Sequence, residues 1–133
     1  MLIVYYSGVS EFTHRFVQRL DTPSVRIGLY YKQGDLHITE PYILMLPTYG
    51  TGTLKTAIPP QVKRFLKDED NQTNCTGVIG AGNTNFGGHY CLAAELIARR
   101  FDIPLHHKFE LLGTEEDVTV VNQITANKEK LTA

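Results

Sequence analysis

Apolar residues along the chain fall into short solid blocks separated by stretches with helical spacing. LIVYY (Leu2 to Tyr6) comes first, followed by Phe12, Phe16, Val17 and Leu20, which recur as the stripe of an amphipathic helix does. A weaker strand pattern lies near Val25 to Leu29. YILML (Tyr42 to Leu46) is apolar at every position, as expected of a strand covered on both faces. Pro47 stops that block, and a helix is predicted from about Pro60 to Lys67, where proline suits the first turn. Thr76 to Gly80 reads as the fourth strand. His89 to Phe101 reads as a helix with Leu92, Leu96 and Ile97 facing inward, and Leu105 to Leu111 as the fifth strand. The last helix begins after Thr114, where Thr114-Glu-Glu-Asp117 has the spacing of a capping box in its acidic form.

Strands alternating with helices point to an α/β domain built on a parallel sheet. Five strands and four helices in this order predict a flavodoxin-like doubly wound sheet, strand order 2-1-3-4-5, with helices on both faces and one domain over residues 1–133. Ligands of such sheets bind outside the carboxyl ends of the strands, at the switch point between strands one and three. Three loops reach that point: Ser7 to Thr13, Thr48 to Thr56, and Gly82 to Gly88. They are also the loops richest in glycine, hydroxyls and side-chain amides.

Composition narrows the partners. With 13 basic and 14 acidic residues the net charge is −1, which gives no reason to expect nucleic acid or an anionic membrane. No apolar run approaches a membrane span and no apolar leader precedes the first strand, so a cytoplasmic location is expected. Cys75 and Cys91 are too far apart for a Cys-x-x-Cys motif and are expected to be free thiols. His106 and His107 are neighbours in a strand and so point to opposite faces, which argues against a shared metal ion.

Several nucleotide motifs fail. GTGTLKT carries Leu54 where a Walker loop needs glycine before the lysine, and GAGNTN has Asn85 in place of the third glycine of a dinucleotide fingerprint. A phospho-receiver domain needs carboxylates where this chain has YYSG and LPTYG. The first loop, Ser7, Gly8, Val9, Ser10, Glu11, Phe12 and Thr13, offers N–H groups and hydroxyls but no cation. That chemistry suits a phosphate monoester held in place better than a phosphoryl group in transfer, which calls for lysine, arginine or magnesium. The plain alternative is that Ser10 or Thr13 caps the following helix. In the second loop Thr48, Tyr49, Gly50, Thr51, Gly52 and Thr53 are candidate contacts, and in the third Gly82, Asn83, Asn85, Phe86 and Gly87. Tyr49 and Phe86 are placed to flank a planar ring, and Asn83 and Asn85 present donors and acceptors for a pyrimidine edge. A phosphate at one end and a clasped heterocycle at the other describe FMN.

YYSGVSEFTHRF, EPYILMLPTYGTGT, GNTNFGGHY and HKFELLGTEEDV together resemble the NrdI family, the flavodoxin-like stimulatory proteins of ribonucleotide reductase, as far as about Asn122. The resemblance implies an FMN protein serving a class Ib ribonucleotide reductase, whose small subunit carries a dimanganese and tyrosyl radical cofactor. In that family the reduced flavin reacts with molecular oxygen and the oxidant passes to the small subunit. An electron donor, a reductase or a redoxin, is then a further partner. Phe12 stands where flavodoxins and some members of the family have asparagine, so backbone contacts are what survive at that position. Residues 41–66 contain no carboxylate but do contain Lys55, Lys63 and Arg64, and residues 71–94 again contain no carboxylate. Such loops tolerate an anionic reduced flavin better than acidic ones. Two other functions fit the same fold: a general FMN electron carrier and a flavin-free interaction module.

Overall fold

The apolar blocks become the strands of one sheet. The computed structural model describes residues 1–28, 36–48, 56–82 and 91–132, with side chains as far as residue 127. Strands β1 (Leu2–Tyr5), β2 (Ser24–Arg26), β3 (Tyr42–Pro47), β4 (Cys75–Gly82) and β5 (Leu105–Glu110) pair in the order β2-β1-β3-β4-β5, and every pairing is parallel. The helices are α1 (Phe12–Val17), α2 (Pro60–Phe65), α3 (Glu69–Thr73), α4 (Leu92–Phe101) and α5 (Glu115–Thr132). The predicted strand order is the observed one.

Alternation of side chains along each strand splits the core in two. Val4, Leu44 and Leu46 pack with Val62 and Phe65 of α2 and with Ala93 and Ile97 of α4. Ile3, Ile43 and Met45 pack on the other face with Phe16 of α1 and Val118 and Val121 of α5. Phe16 and Phe109 stack there with ring centroids 3.9 Å apart. Gly80 is what lets α4 lie so close to β4, since a Cβ at that position would stand 2.9 Å from the Cβ atoms of both Ala94 and Cys91. Cys75 and Cys91 are both buried and are not joined in a disulfide.

His106 is the extra residue where the β4–β5 register shifts from Val78↔Leu105 to Ile79↔His107. Its ring lies over Gly77, where a Cβ would come within 2.3 Å of Nε2, whereas His107 Nε2 pairs with Asp117 Oδ1 at 2.8 Å. The two histidines therefore meet different elements. Among the described residues no helix is long and apolar enough to cross a membrane.

Among the described residues there are five helices where the sequence pattern predicts four. The additional one, α3, has no apolar stripe and is built from polar contacts. Asp68 caps it by accepting from Asp70 N–H at 2.9 Å and Asn71 N–H at 3.2 Å. Its buried residue is Asn71, whose Nδ2 donates to Leu36 O and Phe65 O, both at 2.9 Å, and whose Oδ1 accepts from Ile38 N–H at 2.7 Å. The Asn71 carbonyl also accepts from the Tyr42 hydroxyl. The second strand is shorter than predicted, ending at Arg26, and Leu29 lies outside the described residues. The predicted capping box is present: Asp117 N–H donates to Thr114 Oγ at 3.1 Å and Thr114 N–H to Asp117 Oδ2 at 2.8 Å.

Asn71 ties residues 36–38, the end of α2 and β3 together. Asn71→Ala leaves two carbonyls and an N–H short of partners in a buried place, and is expected to cost about 3 kcal/mol of unfolding free energy in a urea titration. A loss below about 1 kcal/mol would show that water replaces the amide.

Candidate functional site

Parallel strands put all their carboxyl ends at one edge of the sheet. Tyr5 is level with Met45, Tyr6 N–H donates to Met45 O at 3.0 Å, Pro47 is level with Ala81, and Gly82 with Glu110. The loops after β1, β3 and β4 therefore leave from neighbouring points on that edge. The whole first loop is described, together with Thr48 and Thr56 of the second and Gly82 of the third. Tyr49, Gly50, Thr51, Gly52, Thr53, Lys55, Asn83, Asn85, Phe86 and Gly87 lie outside the described residues.

In the first loop Ser7 is fully buried and its Oγ accepts from His14 N–H at 3.0 Å, fixing the start of the loop to α1. Glu11 N–H donates to Gly8 O at 3.1 Å and closes a turn. Val9, 88% exposed, and Ser10 form the tip, and a Cβ added at Gly8 would have nothing within 4 Å. The helix N-cap is Glu11, in the left-handed region at φ 65°, and it makes no side-chain capping bond. Capping by Ser10 or Thr13 is thus not what the loop does. Thr13 shares the buried face of α1 with Phe16 and Val17, and Phe12 is exposed.

The loop contains no lysine or arginine, but the adjoining edge strand brings one. Arg26, level with Tyr5, places Nη2 at 2.5 Å and Nη1 at 3.1 Å from the two carboxylate oxygens of Glu11, and Nη2 also donates to Ser7 O at 3.4 Å. The Arg26 guanidinium holds the Glu11 carboxyl below its ordinary pKa. Beside this pair the Tyr5 hydroxyl bonds His14 Nδ1 at 2.6 Å, and burial raises the Tyr5 pKa. Nothing local in the sequence marks Arg26; only the parallel register of β2 against β1 brings it here.

Thr48 Oγ accepts from Ala93 N–H at 3.0 Å, tying the end of β3 to the first turn of α4, and its hydroxyl proton is left to donate. The Gly82 carbonyl accepts from Leu111 N–H at 2.9 Å. Of the four described non-glycine residues with positive φ, Glu11, Cys91 and Leu111 belong to connections at this edge, and Asp102, the C-cap of α4, to the opposite one. Left-handed backbone costs such residues about 1–2 kcal/mol each, and strain of this kind collects at ligand sites.

The site is thus an edge with open space at Gly8, hydroxyls at Ser7, Ser10 and Thr48, and strained loop junctions. A family model described as NrdI Flavodoxin like matches residues 4–123. The chain is 50% identical over 121 residues to Protein NrdI of Photorhabdus laumondii subsp. laumondii, covering 91% of this chain and 86% of that one. It is 46% identical over 137 residues to Protein NrdI of Corynebacterium glutamicum (strain R), covering 98% and 93%. The chain belongs to the NrdI flavodoxin-like family. Its fold is shared with a short-chain flavodoxin associated with a non-canonical PDU bacterial microcompartment, at a TM-score of 0.62 and 17% identity, covering 99% of this chain and 97% of that one. In this NrdI-family chain the first loop follows a buried strand and is anchored at both ends, by Ser7 to α1 and by Glu11 to β2.

The Glu11–Arg26 pair has a measurable signature. A carboxyl with a depressed folded-state pKa contributes stability above its unfolded value, near 4.5, and loses it as pH falls through the folded value. Titration of Glu11 by NMR is expected to give a midpoint below 4.5 that moves back up in Arg26→Gln. An unchanged midpoint in that variant would show that the pair does not form in solution.

Proposed function

We propose that this chain is an FMN protein that serves a class Ib ribonucleotide reductase. The match of residues 4–123 to the NrdI family carries this reading, because it spans the first loop and the stretches that would clasp the flavin. The described residues fit such a group: Ser7, exposed Ser10 and the open backbone at Gly8 offer hydroxyls and N–H groups of the kind that take a phosphate monoester. Ser7, Gly8, Val9, Ser10, Glu11, Phe12 and Thr13 would hold the phosphate, Glu11 through its backbone, since its carboxylate lies on Arg26. Thr48, Tyr49, Gly50, Thr51, Gly52 and Thr53, with Gly82, Asn83, Asn85, Phe86 and Gly87, would hold the ring. Bound there, FMN would supply a reversible electron store that passes electrons to oxygen, the oxidant then serving the small subunit's dimanganese site.

The chain's own part is to hold and bias the cofactor. The hydrogen bond from His14 N–H to Ser7 Oγ and that from Ala93 N–H to Thr48 Oγ fix the starts of two loops, so less order has to be imposed on binding. The absence of carboxylates from residues 41–66 and 71–94 favours the anionic reduced flavin, since like charge beside it would raise its energy. Such a flavoprotein takes electrons from a reductase or a redoxin.

FMN is expected to bind at least tenfold more tightly than riboflavin in a fluorescence titration, and Ser10→Ala to weaken FMN by about 1.5–3 kcal/mol. Equal affinity for riboflavin would overturn the phosphate role of the loop. With a manganese-loaded class Ib small subunit and oxygen, the reduced protein is expected to generate the tyrosyl radical, read by electron paramagnetic resonance. No radical under those conditions would leave a general electron carrier.

A further inference from the structure

Glu11 is an anion carried within the loop that is read above as the seat of an anion. It stands at the N-cap, beside the positive end of α1, where negative charge is favoured and a side-chain oxygen within reach can accept from the N–H groups of the next residues that Ser7 Oγ does not already hold. Here it makes no such bond, and both of its oxygens lie instead on Arg26, at 2.5 and 3.1 Å. We propose that Arg26 is a positioning residue that holds the Glu11 carboxylate away from the donors of its own loop, so that the seat is left for the phosphate of the ligand. This rests on the reading of Ser7 to Thr13 as a phosphate loop.

The competition is between tethered and free anions. A carboxylate on the loop itself has a high effective concentration at the loop's N–H and hydroxyl donors, and an external monoester has to displace it. Arg26 removes that competitor by offering a planar, two-pronged partner that matches both carboxylate oxygens, which neutral loop donors do not. The guanidinium is itself located by its donation to Ser7 O and by the register of β2 against β1. A brace that merely stiffened the loop would behave differently, because either partner's removal would then do the same damage.

FMN and riboflavin titrations of four full-length proteins separate these cases: the wild type, Arg26→Gln, Glu11→Gln and the double variant. Arg26→Gln is expected to weaken FMN about tenfold or more, since the freed carboxylate occupies the seat. Glu11→Gln is expected to bind FMN about threefold more tightly than the wild type, because Arg26 then adds uncompensated positive charge beside the phosphate. The double variant is expected to recover most of what Arg26→Gln loses. A double variant as weak as Arg26→Gln overturns the proposal, as does FMN binding in Glu11→Gln weaker than in the wild type. Circular dichroism checks folding, and the Glu11→Gln result decides the matter even if Arg26→Gln does not fold. Riboflavin bound as tightly as FMN by the wild type would remove the phosphate loop and the proposal together. A failed cycle with the preference for FMN intact overturns the role of Arg26 alone.

Discussion

Strands β3 and β4 have almost no polar face. Tyr42, Ile43, Leu44, Met45 and Leu46 are fully buried, as are Val78 and Ile79 beside them. A parallel pair of this kind has to be covered on both sides, and each connection between parallel strands has to cross back over a face of the sheet. Here α1 and α5 cover one side while α2 and α4 cover the other. All the outgoing loops consequently lie at one edge and the returns at the opposite one. Where a cofactor can sit is therefore decided by the packing of the middle of the sheet, before any loop residue is chosen.

The loops at that edge combine firm roots with open tips. Ser7, Thr48 and Gly82 each accept a hydrogen bond from the element that follows or neighbours them, while Val9 and Ser10 stand in solvent. Strain is held at the junctions, at Glu11, Cys91 and Leu111. The buried core offsets its cost, so the edge keeps a backbone shape that its residues would not adopt in isolation. Arg26 extends the arrangement sideways by making the edge strand β2 part of the first loop.

What could be read from the sequence was what depends on near neighbours or on unbroken apolar runs. β3 was legible because all its positions are apolar, and the Thr114–Asp117 cap because both partners lie within one turn. The three candidate loops could be found because the sheet topology gathers them. β2 was blurred because it is three half-exposed residues long, and α3 was missed because Asn71 anchors it through hydrogen bonds to residues 36–38 and 65, which no periodicity shows. The pairing of Arg26 with Glu11 of the first loop was not legible for the same reason: the two are fifteen positions apart and meet only through strand pairing.

The pairing of Leu2 with Tyr42 and Val4 with Leu44 has a consequence for how the protein is made. β1 emerges early in synthesis, yet its longer partnership is with a strand that does not exist until residue 45 or so has been added. At translation rates of about 5–20 residues per second, that leaves the strand waiting for about 2–8 seconds with an apolar row uncovered on one side. β2 arrives sooner but contributes only three pairings at the edge. The newborn chain therefore passes through an interval in which a segment buried in the finished fold stands exposed, and its yield in a cell depends on what shields that segment until β3 arrives.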